Sequence, residues 1–225
     1  MSDQEVLYRR KALFSPAIRV CHWLRVLAIV VLTVTGFYIA WPFLMTPQST
    51  DVLVNGWIRA VHEAFGLLLV AITVVRMYLF FFSRSNVERR SIRDALSPKS
   101  WLRQIKATFL VGEPPHRGAY EPLQLIGYLA VTLLIIFMCI TGLALFAADD
   151  HEGFAALISP MTDYVTYQMG GLANVRLWHH YVMWAVIIFV PLHIYLVVWT
   201  GLRFRQSTAE AIFSGYSYEP SQKDH

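Results

Sequence analysis

The sequence predicts an all-α fold, an integral membrane four-helix bundle in a single domain that covers residues 1–225. Hydrophobic residues make up 56% of the chain and charged residues only 15%, whereas a soluble domain usually carries about a quarter charged residues. The apolar residues also arrive in long blocks, which excludes a disordered chain and an ordinary soluble core. Because roughly 20 apolar residues cross a bilayer as a helix, each block predicts a transmembrane span.

Three of the four spans contain a long run without Asp, Glu, Lys or Arg. The uncharged runs are Val26–Met45 with 20 residues, Pro122–Ala148 with 27 and Leu177–Leu202 with 26. The fourth run, Trp57–Ser83, is interrupted by three charged residues, and such residues normally face the interior of a bundle and mark function. We place transmembrane helices I to IV at residues 18–42, 57–82, 122–147 and 177–202.

The basic residues indicate how the helices are oriented. Seventeen of the nineteen Lys and Arg residues fall in residues 1–25, 76–121 and 203–225, and only Arg59 and Arg176 fall on the other side. The positive-inside rule therefore predicts that both termini and the loop 83–121 are cytoplasmic. This bias explains the basic balance of the chain and leaves no case for nucleic-acid binding.

The two cysteines exclude other kinds of metal site. Cys21 lies near the start of helix I and Cys139 lies within helix III, and the sequence has no C-x-x-C pair. Zinc or iron–sulfur ligation by thiolates of this chain is therefore not expected, and neither is a disulfide framework.

Four histidines lie in or at the ends of the predicted helices: His22 in helix I, His62 in helix II, and His179 and His193 in helix IV. The predicted topology places His22 near the cytoplasmic surface and His62 and His179 near the periplasmic surface. His193 follows His179 by 14 residues, which is about 21 Å along a helix and about 40° short of four full turns. The sequence thus offers two pairs at two depths, His62 with His179 and His22 with His193.

Two pairs of this kind are what two b-type haems require. Haem iron accepts imidazole nitrogen as an axial ligand, and bundle cores are where ligands from several helices converge on a cofactor. We expect these four histidines to ligate the iron of two haem b groups. His180 points about 100° away from His179 on a helix and cannot share its iron.

Small residues are expected where a macrocycle presses against a helix. Gly36 lies 14 residues after His22, on the same face but at the level of the outer haem, and Gly66 lies one turn from His62. Both are candidate haem-contact residues, and ordinary packing of helices through small residues is the alternative.

Haem propionates are anions that need cationic partners in a low-dielectric setting. Arg19, Arg59 and Arg176 each precede one of the histidines by three residues. Arg76 lies 14 residues after His62, on the same face at the depth of the inner haem. All four are candidate cofactor-binding residues, and snorkelling to the membrane surface is the alternative for each.

Two runs of residues carry a resemblance to a known family. The first is Arg19–Leu24, followed by Leu32, Thr35 and Gly36, and the second is Arg176–His180, followed by Trp184, Phe189 and His193. Both are similar to signatures of the cytochrome b subunit of membrane-bound nickel–iron (uptake) hydrogenases, a b561-like diheme family. The resemblance extends from Leu13 to about Pro220.

The resemblance implies a four-helix diheme cytochrome b in the bacterial inner membrane. Such a subunit anchors the small and large subunits of a periplasmic nickel–iron hydrogenase and passes their electrons to a quinone, either menaquinone or ubiquinone. The family's four ligand positions map onto His22, His62, His179 and His193. The chain would then be the electron-transfer subunit of a hydrogen:quinone oxidoreductase complex.

Other functions stay open at this point. Similar diheme subunits serve formate dehydrogenase, and small cytochromes of the b561 type act alone as quinone oxidoreductases. The histidines do not separate these, whereas the two signature runs favour the hydrogenase branch. A proton channel or transporter with a histidine relay is an alternative of another class, which predicts histidines along a pore and needs no cofactor.

Overall fold

The computed structural model of the protein describes residues 8–42, 51–82, 122–204 and 208–220. Within these ranges the chain forms six helices and one pair of short strands. The predicted cytoplasmic loop 83–121 lies outside the described residues. In chain order the elements are β1 (Tyr8–Ala12), α1 (Pro16–Ala40), α2 (Asp51–Phe82), α3 (Pro122–Asp149), α4 (Gly153–Gln168), α5 (Leu172–Phe204), α6 (Thr208–Ser214) and β2 (Tyr216–Pro220).

Helices α1, α2, α3 and α5 are each long and apolar enough to cross a membrane. Their apolar parts contain 25 to 29 residues, which exceeds the roughly 20 that a bilayer requires. The four helices predicted from the sequence are thus confirmed. Helices α2 and α5 begin several residues before the predicted starts, because helical hydrogen bonding continues beyond the apolar block that reveals the span.

Many apolar side chains of these helices are exposed. Val34, Leu133 and Ile188, for example, expose 65 to 67% of their surface. This arrangement suits a hydrocarbon solvent, in which the backbone polar groups must be satisfied within each helix. Threonine hydroxyls are satisfied in the same way, since Thr132 donates to the carbonyl of Tyr128, four residues earlier, at 2.7 Å.

The chain divides into two compact units. We call the first the central unit; it consists of Trp23–Tyr78 and Ile126–Phe189 and contains α4 and most of the four long helices. Its apolar core is formed by Ala28 on α1, Leu69 on α2 and Ile135 on α3. The half-buried residues packed against this core are Ile29, Leu32, Phe65, Val131 and Cys139.

We call the second the terminal unit; it consists of Met1–His22, Leu79–Leu125 and Val190–His225. In it, β1 pairs antiparallel with β2, with Tyr8 opposite Pro220 and Ala12 opposite Tyr216. The segments before α1 and after α5 are therefore hydrogen-bonded to each other. An even number of membrane crossings brings both ends of a chain to one face, and this pairing fits that count.

Gly215 makes the turn into β2 possible. Its φ is +89°, a left-handed conformation that side-chain-bearing residues rarely adopt. Its carbonyl accepts hydrogen bonds from the amides of Leu13 at 2.9 Å and Phe14 at 3.2 Å. A Cβ at this position would lie 2.9 Å from the carbonyl oxygen of Phe14, so the turn excludes a side chain as well.

Helix α4 lies between two of the spans and was not predicted from the sequence. It contains Pro160 and buries Ala155 and Thr162. The helix ends at Gln168, and Gly170 and Gly171, with φ angles of +80° and +107°, form the turn into α5. Exposed apolar side chains recur along it at three- to four-residue intervals, namely Phe154, Leu157, Met161 and Tyr164, which is the spacing of one helix face.

Candidate functional site

The central unit contains a cavity of about 600 Å³ lined by residues of α1, α2, α3 and α5. Ligand pockets in proteins are typically about 300–1,000 Å³ and mostly apolar, with a few placed polar groups. This cavity fits that description. Six of the site residues predicted from the sequence line it: Gly36, Arg59, His62, Gly66, Arg176 and His179.

His62 reaches the cavity from α2 and contacts a threonine of α1. Its Nδ1 lies 2.8 Å from the hydroxyl oxygen of Thr35. That hydroxyl also donates to the carbonyl of Val31, one helical turn earlier, at 2.7 Å. The ring of His62 is thus held by a neighbouring helix.

His179 is held in the same way from α3. Its Nδ1 lies 2.8 Å from the hydroxyl oxygen of Thr141, and this hydroxyl donates to the carbonyl of Phe137 at 2.9 Å. Thr141 is fully buried, with 0% of its surface exposed. His62 and His179 therefore have matching threonine partners, on α1 and α3 respectively.

Each of these threonines is followed by a glycine that approaches the same histidine. A Cβ on Gly36 would lie 3.3 Å from Cε1 of His62, and a Cβ on Gly142 would lie 3.5 Å from Cε1 of His179. At Gly66 a Cβ would meet nothing within 4 Å, so that position borders open space of the cavity. Sequence reasoning missed Gly142, although the repeated Thr-Gly pair in helices I and III could have indicated it.

The predicted arginines occupy different environments. Arg59 and Arg176 line the cavity, and Nη1 of Arg59 lies 3.8 Å from a carboxylate oxygen of Asp149 in an exposed ion pair. Arg76 is buried, with 7% of its surface exposed, and its guanidinium carbon lies 5.6 Å from the centre of the Tyr128 ring.

Arg19 belongs to the terminal unit. Its Nη1 donates to the carbonyl of Phe213, so it links the start of α1 to α6. Its Nε is buried and has no hydrogen-bond partner within the part of the chain that the structure describes. A buried, unpaired donor of this kind is rare in native proteins and suits an anionic ligand group.

The other predicted ligand pair also lies in the terminal unit. His22 is half-buried near the start of α1, and His193 is exposed on α5. The structure thus assigns the two predicted pairs to different units, with His62 and His179 in the central unit.

His180 lines the cavity beside His179, which sequence reasoning did not predict. Its Nε2 accepts a hydrogen bond from the indole Nε1 of Trp184 at 3.3 Å, and the ring of Trp41 lies 5.8 Å from it, edge to face. Phe37 contacts both tryptophans. Paired aromatic residues of this kind could have been suspected only with knowledge of how α1 faces α5.

A helical protein that spans the membrane and brings histidines of two helices to one apolar cavity has the features of a membrane cytochrome. Comparison with known proteins agrees with this class. The chain belongs to the prokaryotic cytochrome b561 family, whose family model matches residues 13–215.

Curated relatives are similar over almost the whole chain. The protein of Rhizobium leguminosarum bv. viciae is 30% identical over 210 residues, which cover 90% of this chain and 86% of the relative. That of Rhodobacter capsulatus is 30% identical over 223 residues, covering 95% and 84%. Both are named as a probable Ni/Fe-hydrogenase B-type cytochrome subunit. A relative of Escherichia coli (strain K12), named as a probable Ni/Fe-hydrogenase 1 B-type cytochrome subunit, is 24% identical over 209 residues, covering 90% of this chain and 88% of the relative.

Membership in this family identifies a multi-pass membrane protein of electron transport, and a b-type cytochrome implies haem b as its cofactor. The residues of the central cavity fit that group. They supply imidazole nitrogens, arginines and glycines that leave space beside the histidine rings. A histidine relay without a cofactor is accordingly disfavoured.

Proposed function

We propose that this protein is the diheme cytochrome b subunit of a nickel–iron hydrogenase and carries electrons from periplasmic hydrogen oxidation to a membrane quinone. The names of the relatives support the hydrogenase as partner. The alignments with this chain cover 84 to 88% of the length of these relatives. In this proposal the chain also anchors the small and large hydrogenase subunits to the bacterial inner membrane.

The observation that carries the proposal is the cavity of the central unit, where His62 and His179 would hold the iron of one haem. Both side chains line the cavity, and both are held through Nδ1 by a threonine. The remaining ring nitrogen, Nε2, is then the atom available to iron. When bound, the haem supplies a one-electron carrier in the membrane interior.

Glycines and arginines of the same cavity complete this site. Gly36, Gly66 and Gly142 lack side chains that would fill the space beside the histidines. Arg59 and Arg176 are proposed to pair with the haem propionates, since a charged donor stabilises a carboxylate more strongly than a neutral one. Asp149, which also lines the cavity, forms an ion pair with Arg59.

We propose that His22 and His193 bind the second haem. Both lie in the terminal unit, together with Arg19, whose buried Nε lacks a partner within the described ranges and suits a propionate. Arg76 is a further proposed propionate partner, because a cation that is 93% buried in a membrane segment needs stabilisation from several neighbours.

The proposed orientation follows from the positive-inside rule. Both termini are cytoplasmic, so His62 and His179 lie toward the periplasm and His22 and His193 toward the cytoplasm. Electrons released by the hydrogenase then cross the membrane inward and reduce menaquinone or ubiquinone.

The test is to purify the full chain in mild detergent from cells that make hydrogenase. We expect the nickel–iron large and small subunits to co-purify, and the complex to reduce a quinone analogue with hydrogen. A chain that reduces quinone from another donor without these subunits would contradict the hydrogenase assignment and favour a stand-alone oxidoreductase. Co-purification with a formate dehydrogenase would show that this enzyme, and not a hydrogenase, is the partner.

A further inference from the structure

The hydroxyls of Thr35 and Thr141 share one bonding geometry that fixes the direction of their hydrogen bonds. A hydroxyl has a single proton to donate and lone pairs to accept with. Thr35 donates its proton to the Val31 carbonyl at 2.7 Å, and Thr141 donates to the Phe137 carbonyl at 2.9 Å. In both, the contact to histidine is left to an oxygen lone pair.

The histidine must then be the donor in each contact. Nδ1 of His62 and Nδ1 of His179 each lie 2.8 Å from such an oxygen, so both nitrogens carry a proton. In a neutral imidazole the proton on Nδ1 leaves Nε2 as the basic nitrogen. The two threonines therefore select the same tautomer, the one in which Nε2 is free to bind iron.

The residue after each threonine is a glycine that lies beside the same ring. A Cβ would lie 3.3 Å from Cε1 of His62 at Gly36 and 3.5 Å from Cε1 of His179 at Gly142, so each glycine leaves room beside the ring that a side chain would occupy. Each ring is thus hydrogen-bonded at Nδ1 to the threonine of a Thr-Gly pair and has the glycine of that pair beside Cε1. Two helices, α1 and α3, repeat the device.

We propose that Thr35 and Thr141 are positioning residues of the haem site in the central unit, which set the tautomer and orientation of both axial histidines and lower the reduction potential of the haem. The proposal rests on the proposed function, since it takes His62 and His179 as ligands. A hydrogen bond from Nδ1–H makes an imidazole a stronger donor to the metal. A stronger donor favours the ferric over the ferrous state.

The test compares Thr35→Val and Thr141→Val with Thr35→Ser and Thr141→Ser in the full chain. Valine keeps the branched shape and removes the hydroxyl, whereas serine restores it. Thr132→Val is the matched control, because Thr132 lies on the same helix as Thr141 and donates to a carbonyl four residues earlier at 2.7 Å, as Thr141 does at 2.9 Å. The measurements are the haem-to-protein ratio, the midpoint potential of each haem, and the low-spin electron paramagnetic resonance g-values.

We expect each valine variant to raise the midpoint potential of one haem. The reduction equilibrium of that haem should change by up to about tenfold, which corresponds to about 59 mV for one electron. We also expect altered g-values as the ring turns, and return toward wild type in the serine variants. Loss of that haem in a valine variant with recovery in the serine variant supports the proposal equally.

Wild-type potentials and g-values in both valine variants, with haem bound, would overturn the proposal. So would a shift in Thr132→Val as large as that in Thr141→Val, or serine variants that behave like valine ones. Failure of the proposed function gives a different result, because then His179→Ala would keep the wild-type haem content and the ligand assignment itself would fall.

Discussion

The two histidine pairs lie in surroundings of different kinds. His62 and His179 lie in the central unit, line one cavity and are each bound by a threonine of another helix. His22 and His193 lie in the terminal unit, whose structure depends on pairing between the two ends of the chain. The cavity of the central unit is thus organised by packing between long helices, whereas the terminal unit is held by a short strand pair and a glycine turn. We therefore expect the two proposed haem sites to respond to different mutations.

The largest effect is expected from His22→Ala, which removes a proposed ligand in the terminal unit. The rate of hydrogen-driven quinone reduction should fall by more than about ten- to a hundredfold, which is the typical loss when a residue that hydrogen-bonds to a metal ligand is removed. Hydrogen oxidation with a soluble dye should persist, because the hydrogenase itself is unchanged. His151→Ala, at an exposed position, is the control, and normal quinone reduction in His22→Ala would refute the path.

Gly215→Ala is expected to weaken the terminal unit specifically. The substitution places a side chain at φ +89° and 2.9 Å from the Phe14 carbonyl, at a cost of about 1–3 kcal/mol. On heating, the haem proposed for the terminal unit should be released at a lower temperature than in the wild type. The release temperature of the other haem should not change. Equal loss of both haems would show that the two sites are not separable in this way.

Gly36→Ala is the corresponding change in the central unit and should have a smaller effect. The new Cβ lies 3.3 Å from Cε1 of His62, so the ring must move by a few tenths of an ångström. We expect the affinity for the haem to fall by about tenfold at most, as when a residue beside a metal ligand is altered. Gly56→Ala is the control, since its Cβ meets nothing within 4 Å, and an equal loss there would contradict the explanation.

The smallest effect is expected from Asp149→Asn. It breaks the 3.8 Å ion pair with Arg59, in which both side chains are exposed, and such pairs contribute about 0–1 kcal/mol. The melting temperature should barely change and both haems should stay bound. A large loss of stability, measured by thermal unfolding in detergent, would mean that the pair is more shielded than its exposure indicates.

Much of the fold follows from the sequence because a bilayer imposes a length and an apolar composition on each span. The four long helices could therefore be predicted, whereas α4 and the strand pair could not. The pairing of β1 with β2 joins residues more than 200 positions apart, and no local pattern announces it.

The candidate site was predictable to the level of residue type and helical spacing. Their places in the predicted spans and the predicted topology singled out His62 and His179, and both line the cavity. The partners Thr141 and Gly142 were not singled out, because which face of α3 meets α5 depends on packing that a single sequence does not encode locally. The same holds for His180, whose aromatic neighbours are Trp41, directly after α1, and Trp184 on α5.

The most direct test of the account is the haem content of the purified full chain, measured by its reduced-minus-oxidised spectrum and its haem-to-protein ratio. We expect a b-type spectrum with about two haems per chain, about one in His179→Ala, and two in His180→Ala, since His180 is hydrogen-bonded to Trp184. No haem in the wild-type chain from haem-sufficient cells, or an unchanged ratio in His179→Ala, would contradict it.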